Sequence, residues 1–408
     1  MAANDLITDD VIAKESLMVI ENSLSITKRI NRRHEPKFAR EGAKIGDSIN
    51  IRLPVRWEGR EGEIMVPEGA QERSVLMKID RLIGQDLEFS NVDLTLKVDQ
   101  FKERYLDTAN ASIANRIDKA ICQQYKFVPN FATAAVPQTV PTTLDPYFDA
   151  SVTLSNYGVP AGKRAMIVSP RMEASIVNAL KGLFQAARLI AEQYETGGMG
   201  HVIGFDWEMD QNIPTHTIGA LGGVPLVDGA GQSGSTLLTK GWTAAAATRL
   251  LQGDIITLAL MNGVNPQSRD DTSELRHLAV TADTASTAGG AMTIPIFPAI
   301  QLAGAYQNVS GAAADSAVIK IFGSASAFAN FVTKQGLAFH KEWMTAAFVD
   351  LDLPKNMEMA ARAHSSKTGV AVRIVKGYDI KTNQQLTRLD VEFGLKQTYE
   401  DFCCRIPS

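Results

Sequence analysis

Three sets of residues have types and spacing that chemistry could use: a glycine-rich turn, six histidines and three cysteines. The turn GAGQSG sets Gly229, Gly231 and Gly234 in the G-x-G-x-x-G spacing that lets backbone N–H groups approach a pyrophosphate. Apolar VPLVD precedes it, and Asp254 follows where an acid would hold a ribose hydroxyl. That chemistry needs a helix directly after the turn. The next segment, STLLTKGWTAAAATRLL, contains the helix-weakening Gly241, and no alternating βαβ series surrounds it. The turn therefore reads as a flexible linker. A nucleotide-dependent enzyme using Gly229–Gly234 stands as the alternative function.

The histidines (His34, His201, His216, His277, His340, His364) are scattered, without H-E-x-x-H or paired Cys–His spacing. His201 and His216 flank a strand but have no neighbouring acid or thiolate in sequence, so they read as surface or locally hydrogen-bonded groups. Neither a nucleophile elbow nor a G-x-x-x-x-G-K-[ST] loop occurs. Asp9–Asp10 and Asp270–Asp271 read as caps in polar turns. Cys122 reads as a small buried apolar group, and Cys403–Cys404 as buried under the last strand. No catalytic residue, cofactor or metal site is expected, and the chain reads as no enzyme.

The elements that would position these groups follow from composition and period. The chain has 408 residues, with 41 Lys and Arg against 45 Asp and Glu. At roughly 100–200 residues per domain this predicts two or three domains. A net charge of −4 is unlike that of chains held to nucleic acid mainly by charge. Three cysteines make no disulfide framework and suit a reducing compartment. No apolar run approaches the ~18–20 residues of a membrane span, and MAANDLITDD lacks the features of a signal peptide. A soluble intracellular chain with no membrane partner is expected.

Residues 1–27 show helical spacing, followed by a basic run with Lys28, Arg29, Arg32, Arg33, Lys37, Arg40 and Lys44 against Glu35 and Glu41. From Gly46 the period becomes two. GDSINIRL and SVLMKIDRL read as strands joined by the charged stretch WEGREGEIMVPEGAQER. Such a ribbon is too thin to bury its own apolar face and needs a surface, on this chain or another copy. Residues 100–125 give the clearest helix, with Phe101, Tyr105, Ala109, Ile113, Ile117 and Ile121 on one face. RAMIVSP predicts a strand, then an N-cap at Ser169 and a helix from Pro170. Residues 220–335 hold short strand-like runs (DIITLALM, RHLAVTAD, AMTIPIFP, AVIKIFG) and predict a small β-barrel or sandwich. LAFHKEWMTAAFVDL looks helical, and RIVKGYDIKTNQQLTRLDVEFG predicts a strand pair.

YLDTANASIANRIDKAI, GFDWEMDQNIPTHTIG, GDIITLALMNGVNPQSRDD, GLAFHKEWMTAAF and RIVKGYDIKTNQQLTRLDVEFG occur in this order. In that series the chain resembles the major capsid (coat) proteins of tailed double-stranded DNA bacteriophages, of the podovirus type with an inserted β-barrel. The resemblance implies an α+β Hong Kong 97-type capsid fold. Its parts would be an N-terminal arm (1–45), an extended β-loop (46–84), and a peripheral domain (85–149) with its spine helix at 97–126. An axial domain (150–219 and 337–367), the inserted domain (220–336) and a return to the peripheral domain (368–408) would complete it. It implies self-assembly as pentamers and hexamers into an icosahedral shell that encloses double-stranded DNA without sequence-specific binding. A separate scaffolding protein, a portal protein at one vertex and a decoration protein are implied partners. The implied location is the virion capsid, assembled in the host cytoplasm from a chain with an uncleaved N-terminus. Expected subunit contacts are Arg52, Arg56, Trp57, Glu58, Arg60, Glu61 and Glu63 on the loop. Arg29, Arg32, Arg33, Lys37 and Arg40 are expected contacts on the arm.

Overall fold

The computed structural model describes residues 9–32, 48–90, 107–179 and 200–408, apart from 58, 60, 61, 66, 68, 323, 325, 326, 356, 358, 366–368, 382 and 383. The chain divides into two units. One comprises residues 1–52, 74–121 and 344–398, the other 53–73, 122–343 and 399–408.

In the first unit, helix α1 (Asp9–Ser23) buries Ala13, Ser16, Leu17 and Ile20, the three- and four-residue steps of one helical face. It packs on the antiparallel strands Met359–His364 and Ala371–Asp379. Helix α2 (Ile26–Arg29) is a single turn. Helix α3 (Asp107–Cys122) spans about 24 Å at 1.5 Å per residue and buries Ala109, Ile113, Ala114, Ile117 and Ile121. Phe101 and Tyr105 of the expected helix lie outside the described residues. Past Cys122 the chain tightens into a 3-10 turn, Gln123–Phe127.

Asp118 on α3 is buried, and its carboxylate collects the start of α2. Oδ2 accepts from the backbone N (2.7 Å) and Oγ (3.1 Å) of Ser25, and Oδ1 from N (3.1 Å) and Oγ1 (2.6 Å) of Thr27. These are donors that a helix start leaves without intrahelical partners. Beyond α2, Asn31 N donates to Met344 O and Asn31 O accepts from Ala346 N, so the arm's root joins the strand Met344–Val349.

The sheet of this unit runs Ser48–Leu53, Arg73–Ser90, Gln384–Gln397, Ala371–Asp379, Met359–His364. One edge of Gln384–Gln397 carries residues 79–90. Its other edge is shared, Ala371–Asp379 pairing its first half and Met344–Val349 its second. Leu389, Val391 and Phe393 are buried on one face, while Asp390 on the other face bonds Arg373 (2.6 Å) and Arg388 (2.7 Å). Opposite Asp390 stands Gly84, where a Cβ would sit 2.7 Å from the carboxylate, so only glycine leaves the ion pair room. Ile49, Met77 and Ile79 pack on Ala347 and Val349, so this chain itself covers the base of the ribbon.

The second unit is built on the sheet Asn130–Phe131, Cys403–Pro407, Val332–His340, Arg164–Val168, Phe205–Met209, His201–Val202, with Thr215–Thr217 also on Val332–His340. All five residues of Arg164–Val168 and of Cys403–Pro407 are buried, as internal strands require. Helices α4 (Asp145–Asn156) and α5 (Pro170–Ala179) add Tyr147, Leu154, Met172 and Ile176 to its core. Ser169 caps α5 as expected, its Oγ accepting from Met172 N. The segment expected to be helical after residue 336 is instead strand to His340, a 3-10 turn Lys341–Trp343, and strand Met344–Val349. Every residue of Met344–Val349 is buried, so tertiary pairing overrides the helix preference of its Ala and Met.

Residues 220–335 form the expected β-unit. Strands Gly223–Val227, Gly234–Trp242, Met292–Ile300, Asp271–Val280, Ile255–Val264 and Ile319–Ile321 follow one another around a sheet. A bridge between Leu226 and Val318, with Val227 N on Ala317 O, closes it into a barrel. Leu237, Leu258, Leu278, Ile294, Ile296 and Ile319 fill the interior.

Replacing Asp118 with alanine removes the acceptor of four buried or half-buried hydrogen bonds. Asp118→Ala is expected to lower unfolding free energy by about 2–4 kcal/mol, read as a lower urea midpoint in the first unit's transition. An unchanged midpoint would mean that α2 is held by apolar contacts alone.

Candidate functional site

The glycine turn proves to be neither a cofactor loop nor a flexible linker. It joins the barrel strands Gly223–Val227 and Gly234–Trp242, with positive φ at Gly229, Gly231 and Gly234, and a strand rather than a helix follows. The Gln232 amide fills the turn, donating to the carbonyls of Asp228, Gly229 and Leu238 and accepting from Leu238 N. Asp315 accepts from Gly229 N (2.8 Å) and pairs with Lys240 (2.9 Å). Asp254, the expected ribose acid, is buried and accepts from the backbone N of Gly219 and of Leu251.

Asp254 also faces His216 at 2.9 Å, and the other ring nitrogen of His216 meets the Tyr125 hydroxyl at 3.1 Å. Three histidines have acid partners: His216 with Asp254, remote in sequence, His201 with Asp206 (2.8 Å), a local pair, and His364 with Asp350 (3.2 Å). Burial lowers the His216 pKa, against the pull of Asp254. His277 is fully buried against Phe131, and burial together with Arg276 and Arg405 pushes it down to about 3. Arg276 pairs with Asp401 at 2.6 Å and lies over Tyr157, while buried Arg405 donates to Gly253 O. The three cysteines are buried thiols outside any disulfide, and burial raises those of Cys403 and Cys404. Among the described residues, no three His, Cys, Asp or Glu side chains gather as a metal site, and no helix is long and apolar enough to cross a membrane.

The open chemistry lies at the ribbon. Arg52 and Glu63 are exposed, Trp57 is 56% exposed, and Ile64 and Met65 are 82% and 77% exposed. Glu58, Arg60 and Glu61 lie outside the described residues, as do Arg33, Lys37 and Arg40 of the arm. Arg29 closes α2, and half-buried Arg32 donates to Lys28 O, its pKa lowered by burial against the pull of Glu21. Arg56 is half-buried. Its guanidinium lies 5.7 Å from the ring centre of Tyr306, and that of Arg73 lies 5.9 Å from the same ring. The Tyr306 hydroxyl donates to Gln71 O (2.8 Å), and Arg73 pairs with Glu400 (2.7 Å). Tyr306, Arg73 and Glu400 were not expected from the sequence, because no periodicity links positions so far apart.

The family model described as "P22 coat protein - gene protein 5" matches residues 1–400. The chain belongs to the P22 coat protein family. It is a structural major capsid protein of a bacteriophage, located in the virion capsid. No curated protein sequence matches it. Among solved structures it is similar to one of Mycobacterium phage Che8, at 12% identity over 94% of this chain and 90% of that one, with a TM-score of 0.46. The capsid of Ralstonia phage GP4 is similar at 10% identity over 94% and 87%, with a TM-score of 0.46. The CUS-3 coat protein I-domain is similar at 21% identity over 25% of this chain and 96% of that one, with a TM-score of 0.19.

The group His216, Asp254, Arg276, His277, Asp401 and Arg405 is almost wholly buried, and the His216–Asp254 and Arg276–Asp401 pairs and the Arg405 bond to Gly253 O tie segments of the second unit together. Its pH response has a definite sign. The unfolded chain protonates His277 near pH 6.5, whereas the folded chain keeps it neutral to about pH 3. The unfolded state binds more protons in that window, so stability is full above pH 6.5 and falls as pH drops toward 3. His216 and His340 are shifted in the same direction, each chiefly by burial. His277→Leu is expected to flatten the fall in melting temperature between pH 6.5 and pH 5, above the carboxylate range. Parallel profiles for the two proteins would remove His277 from the account.

Proposed function

We propose that this coat protein assembles as pentamers and hexamers into an icosahedral shell around double-stranded DNA, with the ribbon tip as a contact between copies. The observation that carries the reading is the contrast along the ribbon. Its base is packed into its own chain, while its tip presents Trp57 and Met65 to solvent along with charged Glu63. Solvent-facing apolar side chains rimmed by charge mark a surface made to be covered. Arg29, Arg32, Arg33, Lys37 and Arg40 form a second contact, through the arm.

In this reading residues 1–45 are the arm, 46–84 the extended loop and 85–149 the peripheral domain, with its spine helix at 97–126. Residues 150–219 and 337–367 make the axial domain, 220–336 the inserted barrel, and 368–408 the return to the peripheral domain. Assembly takes place in the host cytoplasm with a separate scaffolding protein and a portal protein at one vertex, and a decoration protein can join the finished shell. DNA is enclosed without sequence-specific contacts. The protein acts by geometry rather than by turnover.

Replacing residues 58–64 with a short Gly-Ser turn tests the assignment. The variant is expected to stay folded by circular dichroism yet to yield no closed shells by negative-stain microscopy. Normal shells from this variant would sink the ribbon contact.

A further inference from the structure

A cavity of about 420 Å³ opens beside Gln71 and Arg73. Val264, Pro266, Phe297 and Pro298 give it an apolar wall, and Arg56 and Arg73 line it together with the acids Glu72, Glu400 and Asp401. Glu400 is taken up by Arg73 and Asp401 by Arg276, but among the described residues no carboxylate pairs with Arg56. A half-buried guanidinium without a counter-ion, next to an apolar wall, suits an acidic group followed closely by an apolar one. The tip of this same chain offers that sequence in Glu63 and Met65, both exposed, and neither lines the cavity of its own copy.

We propose that Glu63 and Met65 of one copy seat in this cavity of the next copy, the carboxylate on Arg56 and the thioether against Pro266, Phe297 and Pro298. The proposal rests on the tip being a contact between copies, and it names the receptor. Three features support it. Arg56 is held ready by Tyr306, itself fixed through Gln71, so little side-chain order is lost on docking. The bond joins an exposed acid to an arginine that no carboxylate pairs with among the described residues. A knob and a socket at different places on one chain make a head-to-tail contact, the kind that closes rings.

The test is cross-linking in particles purified from cells expressing the full chain with Met65→Cys and Gln301→Cys, the latter exposed at the cavity. The native cysteines are buried. A short bismaleimide is expected to give a ladder of linked copies on a denaturing gel, with neither single-cysteine variant doing so. Linkage within one chain, or none, would overturn the proposal. A charge exchange gives an independent reading. Glu63→Arg is expected to slow particle formation roughly tenfold through like-charge contact with Arg56, and adding Arg56→Glu to recover most of the rate. A double variant no faster than Glu63→Arg alone would count against the pairing. If replacing 58–64 abolishes shells while the cysteines stay unlinked, the socket falls and the ribbon contact stands; if that replacement leaves shells intact, both fall.

Discussion

A carboxylate taken out of water is costly unless donors fill its lone pairs or it takes up a proton, as burial favours at Glu392. Four of the buried carboxylates among the described residues are met by donors at structural joints. Asp118 gathers the start of α2, and Asp390 sits between Arg373 and Arg388. Asp254 takes two backbone N–H groups and faces His216, and Asp401 takes Arg276. Each links segments remote in sequence or adjacent strands of one sheet. Apolar packing is non-directional and tolerates slippage, whereas a misplaced buried carboxylate loses its partners at once. These groups therefore fix which register the apolar cores adopt.

The barrel is accommodated by the same economy of placement. The chain leaves the second unit's sheet after Thr215–Thr217 and re-enters it at Val332–His340, and those two strands pair with each other. An insertion whose ends already lie side by side adds little closure entropy beyond that of forming its own core. The barrel has that core, filled by Leu, Ile and Val from its six strands. Phe131, near the sheet's edge, packs into the same cluster, and the Arg276–Asp401 pair ties barrel strand to closing segment.

Local pattern was legible wherever one periodicity decided the structure. The spacing of Ile113, Ile117 and Ile121 gave a helix, the cap Ser169–Pro170 gave a helix start, and the short strand runs gave the barrel. One segment buried all round was misread, although Arg164–Val168, buried on every residue too, was legible as a strand. Met344–Val349 reads as a helix former because Ala and Met favour helices, yet as a strand buried on every residue it has no polar face to show an alternation. The partners of His216 and Arg56 were equally hidden, since Asp254 and Tyr306 are brought close by topology and not by spacing. Cofactor-like spacing at Gly229–Gly234 had a local cause as well. Hairpin turns need positive φ for the same steric reason that phosphate loops need glycine, so the pattern alone cannot separate them.

The ribbon combines both regimes, and that combination is what a repeated contact requires. Residues 79–90 are tied into a sheet. In the other unit, Tyr306 fixes Gln71 and the two arginines. A segment anchored at its root explores fewer orientations, and less entropy is lost when its tip is covered. Individual exposed ion pairs at the tip contribute only about 0–1 kcal/mol, too little to choose a partner alone. In the ring of copies we propose, each such pair would have to be satisfied in the same register, and a slipped copy would lose all of them together. On that proposal selectivity comes from the rigidity of the root multiplied by the number of copies, not from the strength of any one contact.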